Sequence, residues 1–577
     1  MKNIIRTLTV LILISIPGIS RAQVSLHYEE NQTPTWEEVI GMYTWLDSRY
    51  KEARLIEAGT TDAGKPLHLF IISKDRLFTP EEARKAGKRI LFINNGIHPG
   101  ESCGIDASLK FADDLLSGRE DAARWLKETV ICIVPVFNVG GALNRSPFNR
   151  ANQNGPEEHG FRANACNLDL NRDFIKLDSD NARSMVRLLQ AWKPDLFIDT
   201  HTSDGADYPY CLTLIASQPQ KMEAAMSSFQ QEKLLPWLYS EMKKTPYEMI
   251  PYVANFSESP EQGIEGFMDY PRYTSGYAAL FNTFAFTTET HMFKPYRDRV
   301  LATWYFLRSS LIFTGSHSAE LEAVRKESEK ARTAKRSFVI EWAADTSRYD
   351  SLFFRGYEAR HRTSAVTGAP RLYYDRSSTW EKYIPYYNYY LPVKTVEAPR
   401  AYVIPRGWDE VIDRLRLNGV KMTELDRDTL LPVTVYYIDS ESTSTAPYNG
   451  HYWHYDTRVK SVSSHLQFYK GDLVIQVQQP AAEYIVQTLE PEAYDSFFSW
   501  NFFDAVLSRK EYFSSYIFEE TAERLLLDDP ELAREFRDKQ QSDSLFASNP
   551  RQQLTYIYEH SPYSEKTYRR YPVARIE

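Results

Sequence analysis

Two polar side chains, His98 and Glu101, follow an apolar run at residues 90–93. Such a run predicts a buried strand, and the Pro-Gly pair between the two polar residues predicts a turn rather than a helix. Histidine and glutamate are both zinc ligands, and the carboxyl end of a strand is where α/β sheets place their sites. The pair alone is weak evidence for a metal site, because a polar turn without any metal has the same sequence.

A third candidate ligand, His201, ends another short apolar strand in the stretch DLFIDTH. A catalytic zinc ion needs three protein ligands and an open position for water, and His, Glu and His is one of the known sets. We therefore expect His98, Glu101 and His201 to converge on one metal ion. The alternative for His201 is a histidine that caps its own strand.

The chain carries two further motifs, GFRANACNLDLNRDF at residues 160–174, before His201, and FTTETH at residues 286–291, after it. With them the sequence resembles the zinc carboxypeptidases of family M14. That family has a His-x-x-Glu pair, then Asp-x-Asn-Arg, then a lone His, then a Glu on a late strand. All four motifs occur here in that order, over about residues 36–313, as His98/Glu101, Asp169/Asn171/Arg172, His201 and Glu289.

The resemblance implies a metal centre and a base. His98, Glu101 and His201 are expected to bind one Zn²⁺ per chain, and Asp169 is expected to orient the ring of His98. Glu289 is expected to be the general base that takes a proton from the zinc-activated water and passes it to the leaving nitrogen. The alternative for Glu289 is an ion pair with the histidine two residues later.

The resemblance also implies a substrate-binding group. Asn171 and Arg172 are expected to bind the terminal carboxylate of a peptide, which a planar guanidinium can grip through both oxygens. Arg162, nine residues before Asn171, is expected to polarise the scissile carbonyl, with Arg145 and Arg150 as weaker candidates. The alternative for Arg172 is an ion pair with a neighbouring aspartate.

Side-chain specificity is less well defined. We take Tyr277 as the mobile tyrosine that contacts substrate in this family, with Tyr270 and Tyr273 as alternatives. The aspartate that selects basic C-terminal side chains in one branch of the family is replaced by Leu212 here. A preference for C-terminal lysine or arginine is therefore in doubt, although two acidic residues, Asp204 and Asp207, lie nearby in the sequence.

The elements that must carry these residues alternate between helix and strand over the first three hundred residues, which predicts an α/β domain. Thr35 and Glu38 form a capping-box signature before the first helix. Further helices are predicted near residues 104–116, 181–192 and 295–315, and strands at the apolar stretches between them. The expected fold is a mixed, twisted sheet flanked by helices, as in the zinc carboxypeptidases.

The second half of the chain differs in composition. A charged segment at residues 317–336 predicts a solvated helical connector and a domain boundary. The tyrosine- and proline-rich remainder predicts a smaller α+β, β-rich domain, whose aromatic residues form either a packed core or a ligand-binding face. The expected organisation is a signal peptide (1–22), a catalytic domain (23–316), the connector (317–336) and an accessory domain of unknown role (337–577).

The first residues have the pattern of a secretory signal, with Lys2 and Arg6, an apolar core at residues 8–16 and small residues before a cleavage site after Ala22. That core is too short for a membrane span of ~20 residues. We expect an exported protein of the periplasm or the extracellular space. Four cysteines permit disulfides in three pairings, but Cys103 and Cys132 lie in apolar segments where free cysteine is common.

The formal net charge of −9, without a basic block, excludes an electrostatic footprint for nucleic acid. The leading hypothesis is a zinc metallocarboxypeptidase that acts on exported or extracellular peptides with a free C-terminal carboxylate. Alternatives of the same chemistry are a cell-wall stem-peptide carboxypeptidase and an amide deacylase, which would not need the carboxylate-binding pair. A non-catalytic peptide- or glycan-binding protein is the alternative of another class, and the intact Glu289 argues against it.

Overall fold

A computed structural model describes residues 24–254 and 259–577, so the signal peptide predicted at residues 1–22 lies outside the described residues. The helices are α1 (Trp36–Arg49), α2 (Pro80–Lys85), α3 (Cys103–Leu116), α4 (Val139–Leu143), α5 (Asp180–Trp192), α6 (Ala224–Phe229), α7 (Leu235–Lys243), α8 (Thr274–Ala279), α9 (Tyr296–Ser316), α10 (Ser318–Ala334), α11 (Asp409–Leu417), α12 (Ala482–Leu489), α13 (Ser515–Asp528), α14 (Pro530–Ser542), α15 (Ser544–Ala547) and α16 (Pro550–Glu559). The expected capping box at Thr35 and Glu38 starts α1.

The strands of the first half are β1 (Ala53–Thr60), β2 (Pro66–Ile72), β3 (Arg89–Asn94), β4 (Thr129–Val134), β5 (Leu196–Ser203), β6 (Leu212–Ala216), β7 (Met249–Pro251), β8 (Ile264–Glu265) and β9 (Phe284–His291). Eight of them form one sheet in the order β1-β2-β4-β3-β5-β9-β6-β7. The four strands β4, β3, β5 and β9 are mutually parallel, and β2 and β6 flank them antiparallel. The mixed α/β sheet predicted from the sequence is therefore confirmed.

Alternate residues of the central strands enter two cores on opposite faces of this sheet. On β3, Leu91 and Ile93 pack in the core with α1, α3 and α9, while Ile90 and Phe92 pack in the core with α5. Burial on both faces explains the continuous apolar run, which is typical of parallel strands. The polar edge at the carboxyl ends of the strands is left free to carry chemistry.

The strands of the second half are β10 (Ser337–Ala344), β11 (Asp350–Thr363), β12 (Pro370–Tyr387), β13 (Tyr390–Glu397), β14 (Ala401–Ile404), β15 (Thr423–Glu424), β16 (Thr429–Thr443), β17 (His454–Phe468), β18 (Leu473–Gln476) and β19 (Ala574–Ile576). Six of them form a sheet in the order β15-β18-β14-β19-β16-β17. Long hairpins and a helical segment at residues 515–559 complete this region, in line with the expected α+β, β-rich character.

The two halves share one hydrophobic core. Phe92 and Phe197 of the large sheet belong to the same buried cluster as Tyr402, Trp500 and Tyr571 of the second half. The aromatic residues of the C-terminal region thus supply buried area, as the core interpretation predicted. The C-terminal region covers a face of the eight-stranded sheet, and the boundary placed at residues 317–336 stays a prediction.

The expected connector forms helix α10, but it is not fully solvated. Leu321 is buried, and the buried Arg332 donates to the carbonyls of Ala279 and Leu280. The helix therefore packs along the first half instead of spanning open solvent. All four cysteines are described, and all four are free. Within the described residues, no helix is both long and apolar enough to cross a membrane.

Candidate active site

The candidate site lies at the carboxyl ends of the parallel strands β3, β5 and β9. His201 of β5 is paired in register with Glu289 of β9, so both side chains lie on the same face of the sheet. After β3, Gly96 adopts a positive φ of 63°, which lets the chain turn sharply toward His98. Glu101 follows in the turn that precedes α3, where its amide bonds back to the His98 carbonyl at 2.8 Å.

The helix after this turn approaches β5 closely. A Cβ atom on Gly104 would lie 1.9 Å from Oγ1 of Thr200, so only glycine fits there. This contact holds the start of α3 against β5 and thereby sets the position of Glu101 relative to His201. The local geometry explains why the chain places a glycine directly after the candidate ligands.

Three buried side chains, His98, Glu101 and His201, form the one group of possible metal ligands found in the described residues, with ligand atoms within 4.8 Å of one another. Nδ1 of His98 lies 3.2 Å from Oε1 of Glu101, and Nδ1 of His201 lies 3.1 Å from Oε2. The two imidazole rings are 5.0 Å apart. The set has the composition of a three-ligand catalytic zinc site.

A carboxylate orients each histidine from its far side. Nε2 of His98 is 2.9 Å from Asp169, and Nε2 of His201 is 2.8 Å from Asp199. Both rings therefore turn Nδ1 toward the shared centre, which is the usual arrangement of metal-binding imidazoles. Nδ1 of His98 is buried and has no hydrogen-bond partner among the described residues. A buried nitrogen that has no hydrogen-bond partner and lies beside two other candidate ligand atoms is suited to bind a cation.

Two arginines border this centre. Arg150 donates to Oε1 of Glu101 at 2.6 Å and to the carbonyl of Thr202 at 3.0 Å. Arg162 lies 3.4 Å from the same Glu101 oxygen and binds Asp169 at 2.9 Å. Arg145 instead donates to backbone carbonyls of residues 33, 34 and 158 and does not line the cavity. Arg150 and Arg162 thus both line the cavity beside the candidate metal ligands.

The charges of the site shift its pKa values in opposite directions. Burial disfavours ionisation of Glu101, but Arg150, His98 and His201 hold its pKa well below the usual range. Burial together with Glu101 raises the pKa of Glu289 to about 8, against the effect of His201 and the arginines. No described residue forms a hydrogen bond or ion pair with the Glu289 carboxylate, so it is available to a ligand. Two nearby carboxylates with pKa values pushed apart are typical of a catalytic centre.

The geometry excludes the alternative role of Glu289, an ion pair with His291. Nε2 of His291 lies 2.7 Å from the carbonyl of Ala206, and its Nδ1 accepts from the amide of Phe293. Burial lowers the pKa of His291 to about 4. His291 is therefore a structural residue and forms no ion pair with Glu289.

Asn171 and Arg172 face the same cavity, which has a volume of about 430 Å³. Oδ1 of Asn171 accepts from the amide of Thr274 at 3.1 Å, and its Nδ2 has no partner among the described residues. The guanidinium of Arg172 stacks on the ring of Tyr273 at 4.6 Å. No carboxylate of the described residues forms an ion pair with Arg172, contrary to the alternative considered from the sequence. The unpartnered Nδ2 of Asn171 and a guanidinium that no carboxylate neutralises suit a ligand carboxylate.

The choice of Tyr277 as a substrate-binding residue is wrong. This tyrosine is fully buried and does not line the cavity, and its hydroxyl bonds to Asn418 at 2.6 Å and Gln190 at 2.9 Å. Tyr270 stacks on Tyr494 at 3.8 Å, also outside the cavity. Of the three candidates only Tyr273 lines the cavity. The short helix α8 places the side chain of Tyr277 in the core that the two halves share.

The structure adds site residues that sequence reasoning missed. Tyr252 and Phe267 line the cavity, and Asp199 orients His201. The signal for Asp199 was present, because residues two apart on a strand share a face. Tyr252 and Phe267 lie in irregular segments without a periodic pattern, so nothing in the local sequence marked them.

The acidic residues near the cavity differ in their surroundings. Leu212 is buried in the core of the large sheet. Asp207 is neutralised by Lys294 at 3.2 Å and Arg376 at 2.6 Å. Asp204 is exposed, lines the cavity and has no ion-pair partner among the described residues. If a basic side chain binds here, Asp204 is the carboxylate that is available to it.

Comparison with known proteins agrees with this geometry. Residues 42–278 match the family model described as zinc carboxypeptidase, peptidase M14. Carboxypeptidase 2 of Trichophyton tonsurans is 21% identical over 434 residues, which cover 73% of this chain and 75% of that protein. Carboxypeptidase 2 of Trichophyton rubrum is 22% identical over 425 residues, covering 71% and 73%. Residues 42–278 are thus similar to the zinc carboxypeptidases of family M14, and the matches support a hydrolase of the metallocarboxypeptidase class.

Solved structures similar to this chain include two bacterial enzymes. The metallo-carboxypeptidase of Burkholderia cenocepacia is 19% identical, with a TM-score of 0.37 over 49% of this chain and 70% of that one. The metallo-carboxypeptidase of Pseudomonas aeruginosa, solved with (2-guanidinoethylmercapto)succinic acid, is 17% identical, with a TM-score of 0.35 over 48% and 69%. The Trichophyton tonsurans alignment covers 73% of the chain, more than all residues before Ser337, so that similarity extends into the C-terminal region.

Proposed function

We propose that this protein is a zinc-dependent carboxypeptidase that removes residues from the C-terminus of peptides with a free α-carboxylate. The observation that carries the proposal is one cavity of about 430 Å³ that contains two kinds of group. One kind is a buried His-Glu-His set beside a carboxylate with no protein partner. The other is an arginine and an amide with unpaired donors. An exopeptidase needs both kinds.

Each side chain has a task in this proposal. His98, Glu101 and His201 would hold Zn²⁺, and the unpaired Nδ1 of His98 and the shared carboxylate of Glu101 fit such an ion. Zinc supplies a Lewis acid that lowers the pKa of bound water and polarises a carbonyl. Glu289, whose carboxylate has no partner among the described residues, would take a proton from the attacking water and pass it to the leaving nitrogen. The positive charge of a bound metal would lower the pKa of Glu289 from its metal-free value and favour the basic form.

The substrate is positioned by the other groups. Arg172 and Asn171 bind the terminal carboxylate, which places the last peptide bond of the substrate near Glu289. Arg162, with Arg150 beside it, faces the developing charge on the scissile carbonyl oxygen. The net effect is hydrolysis one residue from the free end.

The proposal is tested by digestion of a defined peptide mixture with the purified protein. We expect C-terminal shortening only, complete loss with a chelator, and recovery with added Zn²⁺. Peptides with an N-terminal acetyl group should be cut as well as free ones, whereas C-terminally amidated peptides should resist. Shortening from the N-terminus or cleavage at internal bonds would contradict the proposal, and no cleavage at all would favour a binding protein.

We also propose export to the periplasm or the extracellular space, on the basis of the N-terminal pattern that ends at Ala22. N-terminal sequencing of the mature protein from its native host tests this. A first residue of Gln23 is expected, and an intact Met1 would contradict it.

A further inference from the structure

One loop of the C-terminal region reaches the candidate active site. Residues 444–453 connect β16 to β17, and three of their side chains bind the segment that carries the carboxylate-binding pair. The hydroxyl of Tyr448 accepts from Nε of Arg172 at 2.8 Å, and Oδ1 of Asn449 accepts from the amide of Asp169 at 3.0 Å. Nε2 of His451 lies 2.8 Å from Asp178 at the far end of the segment.

The ring of Tyr448 is itself held rigidly. It stacks on Trp500, with ring centroids 5.9 Å apart and an interplanar angle of 17°. The guanidinium of Arg272 lies 5.5 Å from the centre of the same ring. Asp495 binds Arg272 with a nitrogen–oxygen distance of 2.7 Å. Since Trp500 is fully buried, the position of the Tyr448 hydroxyl is set by the shared core.

Three contacts fix the plane of the Arg172 guanidinium. The Tyr273 ring lies against its face, Tyr448 accepts from Nε, and the carbonyl of Asn171 accepts from Nη1 at 2.7 Å. Nη2 has no partner among the described residues. The contacts with the protein therefore leave Nη2 and the second N–H group of Nη1 for a ligand, in the fixed orientation that a bidentate grip on a carboxylate requires.

We infer that Tyr448 is a positioning residue for Arg172, and that the loop at residues 444–453 is a functional part of the active centre. The inference rests on the proposed role of Arg172 in binding the substrate carboxylate. Without the Tyr448 hydroxyl, the Nε–H group loses its acceptor and the guanidinium can rotate about its Cδ–Nε bond. The C-terminal region then has a task beyond covering the sheet: it aligns the group that recognises the peptide end.

The predicted kinetic signature is specific. The contact with the terminal carboxylate contributes the same binding free energy in the ground state and in the transition state. Its loss therefore raises KM and leaves kcat nearly unchanged. For Tyr448→Phe, which keeps the ring and its stacking, we expect KM to rise about tenfold, the size expected for a hydrogen bond to a charged group. Tyr437→Phe is the matched control, because its hydroxyl donates to the carbonyl of Lys566 away from the site.

The experiment uses the full zinc-loaded chain and two ligands, an N-acylated amino acid with a free carboxylate and the same compound as an amide. Binding is measured by calorimetry beside kcat and KM, together with zinc content and melting temperature. Tyr448→Phe should weaken binding of the acid about tenfold and leave binding of the amide unchanged. In an Arg172→Ala background the same substitution should have no further effect, because Tyr448 acts through Arg172.

The outcomes separate the two hypotheses. If the wild type prefers the acid and Tyr448→Phe keeps that preference, the positioning inference is wrong while the proposed function stands. If the wild type binds acid and amide equally, the role of Arg172 fails and the inference fails with it. Equal losses for acid and amide, or an additive effect in the Arg172→Ala background, would show a general structural role and overturn the inference.

Discussion

The proposed metal end of the site (His98, Glu101 and His201) and the proposed carboxylate-binding end (Asn171 and Arg172) are built in different ways. At the metal end, the ligands follow from strand ends, a tight turn and the register between β5 and β9. At the other end, Arg172 ends a short 3-10 helix (Leu170–Arg172) and is held by Tyr448, a residue 276 positions later. The comparison teaches that a single site can combine a part fixed by the sheet with a part fixed by long-range packing.

The largest effect is expected at the metal end. His201→Ala should abolish zinc binding and reduce peptidase activity below about 0.1% of wild type, because two protein ligands rarely hold a catalytic ion. Zinc content by elemental analysis and the rate of peptide cleavage check this. His465→Ala, at an exposed position on β17, should change neither. Unchanged zinc stoichiometry in His201→Ala would disprove the ligand assignment.

The next largest effect concerns the base. Glu289→Gln keeps the shape of the side chain but cannot accept a proton, so kcat should fall about 10³-fold while zinc remains bound. The exposed Glu265 provides a control through Glu265→Gln. Full activity in zinc-loaded Glu289→Gln would mean that another group is the base. Binding of the carboxylate ligand should survive, which separates the chemistry from the grip on the substrate.

A smaller effect is expected at the carboxylate-binding end. Arg172→Ala should lower kcat/KM for peptides with a free C-terminus about 100-fold, because it removes a bidentate charged contact. Arg172→Lys should fall in between, since it keeps the charge without the planar fork. Zinc content should stay at the wild-type level in both variants. If amidated peptides lost as much as free ones, Arg172 would be a structural residue.

The smallest expected effect is on the pH dependence of protein stability, and it concerns α3, the helix that begins just after Glu101. Asp106 of α3 is fully buried, and burial raises its pKa to about 7 against hydrogen bonds from Tyr296 and Thr33. The folded state therefore holds a proton that the unfolded state releases near pH 4. The protonated carboxyl group of Asp106 stabilises the folded state fully below about pH 4, and this stabilisation is lost as the pH rises through about 7.

We expect this group to lower the free energy of unfolding by about 1–3 kcal/mol between pH 5 and 8. Asp106→Asn should flatten that dependence, and the exposed Asp413→Asn should not. Urea denaturation at several pH values measures both. A dependence that persists in Asp106→Asn would assign it to another group.

The sequence was sufficient for the elements whose positions depend on local pattern. Apolar runs, capping residues and proline breaks located the helices and strands of the first half, and the strand ends located His98, Glu101 and His201. Tyr277 could not be placed correctly, because helical spacing does not tell which face meets a region far along the chain. Its hydroxyl bonds to Asn418, 141 residues later. The contact of Tyr448 with Arg172 had no local signal at all for the same reason.

The long separation between Arg172 and Tyr448 has a consequence in time. A growing chain is extended at about 5–20 residues per second, so the 276 residues that separate the pair take about 14–55 s to synthesise. In the later part of that interval, once Glu289 has been added, the nascent chain contains all three candidate metal ligands and the proposed base but lacks the hydroxyl of Tyr448. The sheet can begin to fold early, whereas recognition of a peptide end is completed only when the second half has been made and has docked.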